Sequence, residues 1–259
     1  MTTLDDCWLK AGRAEKHLHE ITEEFNLWRQ RKPYEVVFDV NPKDEDDVGV
    51  GIRIHEYPPA YAGTILGDFL NNCRSVLDYI TTRLDLEAGG RGDNIYFPIF
   101  TDRGAFKDHA TKKLAHLNPG HVALIESLQP FNGMRRPFTR HPGAVLHALH
   151  RLDKHHAVTP TLAAPVSFRL HWVIDDRVRT QTVKAELKGE VHDGTEIARV
   201  RWPPWSAVRP RPRKMEMNAT ISFQIVFGDW DLPDATWAVL SWVRDDVLDR
   251  FVPILKKLG

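Results

Sequence analysis

The chain has 259 residues, and its 35 lysines and arginines equal its 35 aspartates and glutamates, so the formal net charge at pH 7 is zero. This balance excludes a global electrostatic field that would recruit nucleic acid, and such contact would need a local patch. A composition of 42% hydrophobic and 27% charged residues is typical of a globular protein.

Two cysteines, Cys7 and Cys73, fall at apolar positions of predicted helices, which favours buried reduced thiols over a disulfide. The first residues include acidic side chains where a signal peptide would be basic, and no apolar run approaches a membrane-spanning length. We therefore expect a cytoplasmic protein without membrane contact.

Residues 3–30 are predicted to form a long helix with two apolar series that repeat every seven residues. The series are Leu4, Ala11, Leu18 and Phe25, and Cys7, Ala14, Ile21 and Trp28. Such a seam packs against another helix of the same chain or against a second copy, so a homodimer through this helix is an open alternative.

A β-hairpin is predicted next, over 34–40 and 48–55, followed by a second long helix over 60–84. The second helix has one continuous apolar face. Its back carries Gly67, Asn71, Arg74 and Asp78, and one edge carries Asp68, Asn72 and Tyr79. Arg74 and Asp78 are four residues apart, which predicts an ion pair within the helix.

The middle of the chain is predicted as a short extended segment at 95–100 and two weaker helices at 103–117 and 120–128. A loop at 132–141 then brings three arginines, Arg135, Arg136 and Arg140, directly before a histidine-rich helix.

After residue 160 the apolar period changes from 3.6 to 2, which predicts strands at 166–174 and 217–227. Between them, Asp193-Gly194 indicates a hairpin that joins 181–191 to 196–202. A proline-stiffened connection with Trp and Arg covers 202–214, and Asp234 is predicted to cap a C-terminal helix.

These elements predict an α+β fold: an N-terminal helical bundle with a small β-hairpin insertion, followed by a mostly antiparallel sheet covered by a C-terminal helix. The predicted division is 1–160, with the hairpin at 34–55, and 161–259. The two parts are expected to pack as one unit.

The histidine-rich helix at 142–156 holds the strongest concentration of groups that bind phosphate or transfer protons. Helical spacing places Val145, Leu146, Leu149 and Leu152 on an apolar stripe, with Asp153 and His156 beside it. His147, His150, Arg151 and Lys154 project from the other side. An inward aspartate needs a partner, because a buried unpaired charge costs several kcal/mol.

Three interpretations of this helix are open. A metal site would use His147 and His150 with Asp153 and His155, but Arg151 and Lys154 oppose a divalent ion, and no metal or other cofactor is predicted. Acid–base chemistry on a phosphodiester would use Arg151 and His156. The third interpretation is a solvated face without chemistry.

Several segments together resemble a family of uncharacterised bacterial proteins of similar length. They are 67–79, which contains Gly67-Asp68 and Arg74-Ser75, then Phe97-Pro98-Ile99-Phe100, Leu152-Asp153-Lys154-His155, and 193–200. This resemblance implies one coherent bacterial protein and brings no activity, substrate or cofactor.

A second resemblance is to the HEPN superfamily, helical bundles in which an arginine precedes a histidine by five to seven positions on one helix. Arg151 and His156 match that spacing, whereas Tyr79 stands where Arg74 would need a histidine. The resemblance implies a metal-independent endoribonuclease in which Arg151 binds the scissile phosphate, His156 transfers the proton and Asp153 orients a histidine.

The sequence therefore favours a non-enzymatic binding or interaction module, with the HEPN-like ribonuclease as the alternative and RNA as its partner. The predicted catalytic residues are Arg151, Asp153 and His156. The predicted substrate-binding residues are Asp68, Asn72, Arg74, Tyr79, His147, His150, Lys154 and His155. A weaker alternative is a small-molecule pocket lined by Asp68, Asn72, Tyr79 and His156.

Overall fold

The computed structural model describes residues 3–44, 47–133, 137–155, 158–163, 167–174, 177–184, 190–201, 215–220, 224–227, 230–232 and 234–258. The predicted contributions of Arg135, Arg136, His156 and the 202–214 connection therefore lie outside the described residues. The α+β class is confirmed, as are the N-terminal helix, the β-hairpin that follows it and a C-terminal helix.

The helices begin and end where local signals require. Helix α1 is Leu4–Gln30, and its start is capped reciprocally: the Thr3 hydroxyl accepts from Asp6 N–H at 3.2 Å while the Asp6 carboxylate accepts from Thr3 N–H at 2.7 Å. Helix α2 is Ala62–Glu87. Helix α3, Arg103–His109, starts at the Asp102 cap and continues as a π-helical turn, Ala110–Leu114. Pro119–Ser127 forms α4 after the Asn118 cap.

Helix α5, the histidine-rich helix, is Pro142–His155. The C-terminal helical segment consists of α6, Asp234–Ser241, a π-helical stretch, Trp242–Leu248, and α7, Asp249–Leu255. These last elements pack on α2 and α5.

The strands of the described residues form three three-stranded sheets, with orders β1-β2-β6, β5-β4-β7 and β3-β8-β9. The pairs β1–β2, β2–β6, β4–β5, β4–β7 and β3–β8 are antiparallel. Their bounds are Tyr34–Val40 for β1, Asp47–Ile54 for β2, Thr161–Ala163 for β3, Ser167–Ile174 for β4, Arg177–Lys184 for β5, Glu196–Arg201 for β6, Met215–Thr220 for β7, Gln224–Phe227 for β8 and Trp230–Leu232 for β9.

Two strand predictions differ from the structure. The single strand expected at 217–227 is two strands, β7 and β8, that belong to different sheets. The turn at Asp193-Gly194 is present, with Gly194 at φ +77°, but β6 pairs with β2 of the hairpin. The Asp193 carboxylate accepts from Ile54 N–H at 2.8 Å, which attaches the turn to the end of β2.

Two compact units divide the chain. The first contains Met1–Glu23, Ala60–Thr159 and Leu232–Gly259, and the second contains Glu24–Pro59 and Pro160–Asp231. The hairpin thus groups with the later strands, and the C-terminal helix groups with the bundle, whereas the sequence-based division placed each of them in the other half. Apolar periodicity shows which face of an element is buried, but it does not identify the partner.

The core of the first unit is built from apolar faces of α1, α2 and the C-terminal segment, and includes Leu18, Phe69, Phe97, Phe106 and Phe251. Seven of the eight heptad positions of α1 are buried in the single chain, at 0–5% exposure. A homodimer through that seam would have to uncover this surface, so the structure favours packing within the chain.

Candidate functional site

Two glycines of α2 let other parts of the chain approach it closely, Gly67 for α5 and Gly63 for the segment just after α5. A Cβ at Gly63 would lie 1.8 Å from the Val158 carbonyl oxygen, and a Cβ at Gly67 would lie 2.7 Å from Asp153 Oδ1. Further along, Asn71 of α2 meets His150 of α5. The two helices therefore run antiparallel, and Gly67 and Asn71 of the polar back predicted for α2 lie at its contact with α5.

Asp153 is half-buried at this contact, beside Gly67. Burial raises the pKa of its carboxyl, and the nearby charge of Asp68 raises it further. Asp153 thus faces inward as predicted. After burial, the largest influence on the pKa of Asp153 is another carboxylate, that of Asp68, and not a cation.

His150 is held by α2. Its Nε2 lies 3.0 Å from Asn71 Oδ1, and since that amide oxygen can only accept, Nε2 carries the hydrogen. Burial lowers the pKa of His150 to about 4, with further contributions from Lys154, Arg74 and His147. Burial also lowers the pKa of His147, and Arg74 and Arg151 add to that effect. Both imidazoles are therefore neutral at pH 7.

Arg74 connects α2 to the extended segment at 95–100. It pairs with Asp78 at 2.9 Å, which confirms the predicted ion pair, and it donates to the Phe97 carbonyl oxygen at 2.7 Å. Asp78 in turn accepts from Phe97 N–H at 3.0 Å. The buried Gln129 binds the next peptides in the same way, donating to the Pro98 carbonyl and accepting from Phe100 N–H. Side chains thus satisfy the backbone of the extended segment at 95–100, which has no strand partner.

The three residues predicted along one edge of α2, Asp68, Asn72 and Tyr79, have different surroundings. Asp68 is exposed and Tyr79 is half-buried, while the Asn72 amide donates to the Asp68 carbonyl within the helix at 2.7 Å. The side chain of His155 lies outside the described part of the molecule, as does His156. Their assignment to substrate binding and catalysis stays a prediction.

Four residues of α5 make what we call the α5 cationic face: His147, His150, Arg151 and Lys154, at relative positions 0, 3, 4 and 7. His147, Arg151 and Lys154 are exposed and His150 is half-buried. Among the described residues, no carboxylate pairs with Arg151 or Lys154, whereas Arg31, Arg103 and Arg199 each have one. Leu152, expected on the apolar stripe, is 38% exposed, because Asp153 and not Leu152 occupies the contact with α2.

A carboxylate–histidine pair that the sequence did not single out lies at the other end of α2. The Asp85 side chain, 7% exposed, accepts from Gly92 N–H at 2.7 Å and contacts His116 Nε2 at 2.5 Å. A Cβ at Gly90 would lie 2.1 Å from Asp85 Oδ2, so this loop needs glycine there. The signal available in the sequence was the Gly89-Gly90-Arg91-Gly92 run four residues after Asp85.

Two further features are absent from the described ranges. No group of three or more His, Cys, Asp or Glu side chains is arranged to hold a metal ion. No helix there is long and apolar enough to cross a membrane.

Comparisons of the chain with family models, with curated proteins and with solved structures give no match. The resemblances to a bacterial family and to HEPN proteins therefore stay predictions, and a proposal for function depends on the geometry of α2 and α5.

Proposed function

We propose that the protein is a non-enzymatic binding module that binds a phosphodiester ligand on the α5 cationic face, and that this ligand is RNA. One observation carries the proposal: two exposed cations, Arg151 and Lys154, share one helical face with two histidines and have no carboxylate partner among the residues that the structure describes.

The electrostatics of this face favour an anion. Like charges close together raise each other's energy, and the lowered pKa values of His147 and His150 report that effect in addition to burial. A phosphate would relieve the repulsion. Arginine suits it well, because its planar guanidinium matches phosphate oxygens with two parallel hydrogen bonds.

The same contacts argue for binding rather than chemistry. The Nε2 of His150 is engaged by Asn71, and Arg74 is committed to Asp78 and Phe97, so neither is free to take part in a reaction. Arg151 is exposed while Asp153 faces Gly67, and two residues two positions apart on a helix project about 200° from each other.

The test is binding of a fluorescein-labelled single-stranded oligouridylate, followed by anisotropy at several salt concentrations. Because two phosphate contacts are removed, the Arg151→Gln/Lys154→Gln variant should bind at least about tenfold more weakly and show a salt slope about 1.4 smaller. Arg13→Gln/Lys16→Gln is the matched control, since these exposed α1 cations have the same spacing of three residues. Equal losses in both variants, or no binding by the wild type, would remove the proposal.

The HEPN-like ribonuclease is the second candidate, and the exposure of Arg151 is the observation that favours it. The same RNA, examined on a denaturing gel after incubation with chelator present, distinguishes the two. Cleavage that is lost in Arg151→Gln and in His156→Ala would establish the ribonuclease, and intact RNA supports the binding module.

A further inference from the structure

The α5 cationic face contains two kinds of basic side chain. Arg151 and Lys154 supply a guanidinium and an ammonium group, whereas His147 and His150 supply imidazoles, whose ordinary pKa is near neutrality and is lowered at both positions here. The two imidazoles are three residues apart on one helix, so they lie on adjacent positions of the same surface.

We propose that this face takes up protons on His147 and His150 when it binds a phosphodiester, so that acid strengthens binding. The inference rests on the proposed function and adds its regulation.

Burial is the main reason why the pKa values of the two imidazoles are lowered without a ligand, and the surrounding charges add to it. On α5 itself, Arg151 and Lys154 oppose a further positive charge, and the Asp153 carboxyl lies against Gly67 of α2. From α2, Arg74 opposes protonation of both histidines, and its partner Asp78 and the exposed Asp68 are the acidic groups of that helix.

The remaining neighbours of α5 act elsewhere. Arg140 belongs to the short turn before α5, and Asp246 of the C-terminal segment acts on His141 at the start of the helix. A phosphate on the cationic face would be the one added charge of opposite sign beside Arg151 and Lys154. It would therefore favour the imidazolium form.

The hydrogen bond between His150 and Asn71 is compatible with this uptake. Asn71 Oδ1 accepts from Nε2–H, so the additional proton goes to Nδ1. Protonation thus changes the charge of the face and leaves the contact between α2 and α5 intact.

The direction of the pH dependence follows from linkage. The pKa of each histidine is below its ordinary value in the free protein and is raised in the complex, so the complex holds more protons between those two values. Affinity is flat above the raised pKa, and it increases as the pH falls below it, by up to about tenfold per pH unit for each histidine.

Oligouridylate is the suitable probe, because neither its phosphodiesters nor its bases titrate in the range used. We expect its affinity to be at least about tenfold higher at about pH 5.5 than at about pH 7.5. In His147→Gln/His150→Gln that ratio should fall to near one, while His55→Gln, which alters an exposed histidine of the second unit, should keep the wild-type ratio.

Calorimetry of the wild type in buffers of different ionisation enthalpy gives a second measure that needs no variant. Net uptake of protons on binding is expected, and it should increase as the pH is lowered from about 7.5 to about 5.5. Binding with equal affinity at both pH values and no proton uptake would overturn this inference and leave the proposed function standing. No binding at either pH would overturn the proposed function and the inference with it.

Discussion

Two carboxylates lie against glycines of the first unit, near opposite ends of α2, and their surroundings differ. Asp85 contacts Gly90, accepts a hydrogen bond from the Gly92 N–H and lies within hydrogen-bond distance of the His116 imidazole. Asp153 contacts Gly67 and lies near another carboxylate, Asp68, so the pKa of Asp153 is raised.

Asp85 therefore stabilises its loop through hydrogen bonds, whereas Asp153 is in an electrostatically unfavourable contact. At Asp85 every charge has a partner, and the loop at 88–93 is attached to the helix by that side chain. At Asp153 the nearby carboxylate of Asp68 is unfavourable, and the adjacent α5 cationic face has no carboxylate paired with Arg151 or Lys154 among the described residues. Polar groups whose electrostatics are satisfied within the fold stabilise it, whereas unsatisfied ones are candidates for function.

The largest effect is expected from removing the anchor. In Asp85→Ala the Gly92 N–H and His116 lose their acceptor, and the free energy of unfolding should fall by about 3 kcal/mol. Urea denaturation measures it, with Asp93→Ala in the same loop as the exposed control. A change of similar size in both variants would show that Asp85 is not an anchor.

An intermediate effect is expected from adding a methyl group where α2 meets the segment just after α5. In Gly63→Ala the new methyl group meets the Val158 carbonyl, so the backbone must move, which costs about 1–3 kcal/mol of stability. The control is Gly12→Ala in α1, where nothing lies within 4 Å and the better helix former should stabilise by up to about 1 kcal/mol. Thermal unfolding of both distinguishes them, and a Gly63→Ala protein as stable as Gly12→Ala would contradict the close approach.

The smallest effect is expected at Asp153. A carboxyl whose folded pKa is above its unfolded value has its full advantage below about pH 3.8 and loses it as the pH rises through the folded value. Asp153→Asn removes that loss, so it should be up to about 1 kcal/mol more stable than the wild type at pH 7 and equal to it in acid. Urea unfolding at the two pH values measures the difference, and a variant less stable at pH 7 would mean that the carboxylate has a favourable partner.

The sequence predicted what depends on local periodicity. Seven-residue spacing identified the buried positions of α1, and Arg74 and Asp78 were paired correctly from their spacing of four. It could not predict that Leu152 is exposed, since helical spacing alone treats it like Leu149. That outcome depends on Gly67, which lets a carboxylate occupy the contact in its place.

The pairing of strands that are far apart in the sequence could not be predicted either. A hairpin signal at Asp193-Gly194 predicts a turn, and the turn is present, but the pairing of β6 with β2 depends on strands 150 residues apart. In the site, the sequence placed His147, His150, Arg151 and Lys154 on one face. The bond from His150 to Asn71 needed the antiparallel packing of α2 and α5, which no local pattern encodes.

The central claim is that the α5 cationic face is where an anionic ligand binds. The most direct measurement is the change in backbone amide NMR shifts of the labelled protein as oligouridylate is added. The account predicts that the largest changes fall on His147–Lys154 and on Asn71 across the contact. Changes concentrated elsewhere, or none at saturating ligand, would contradict it.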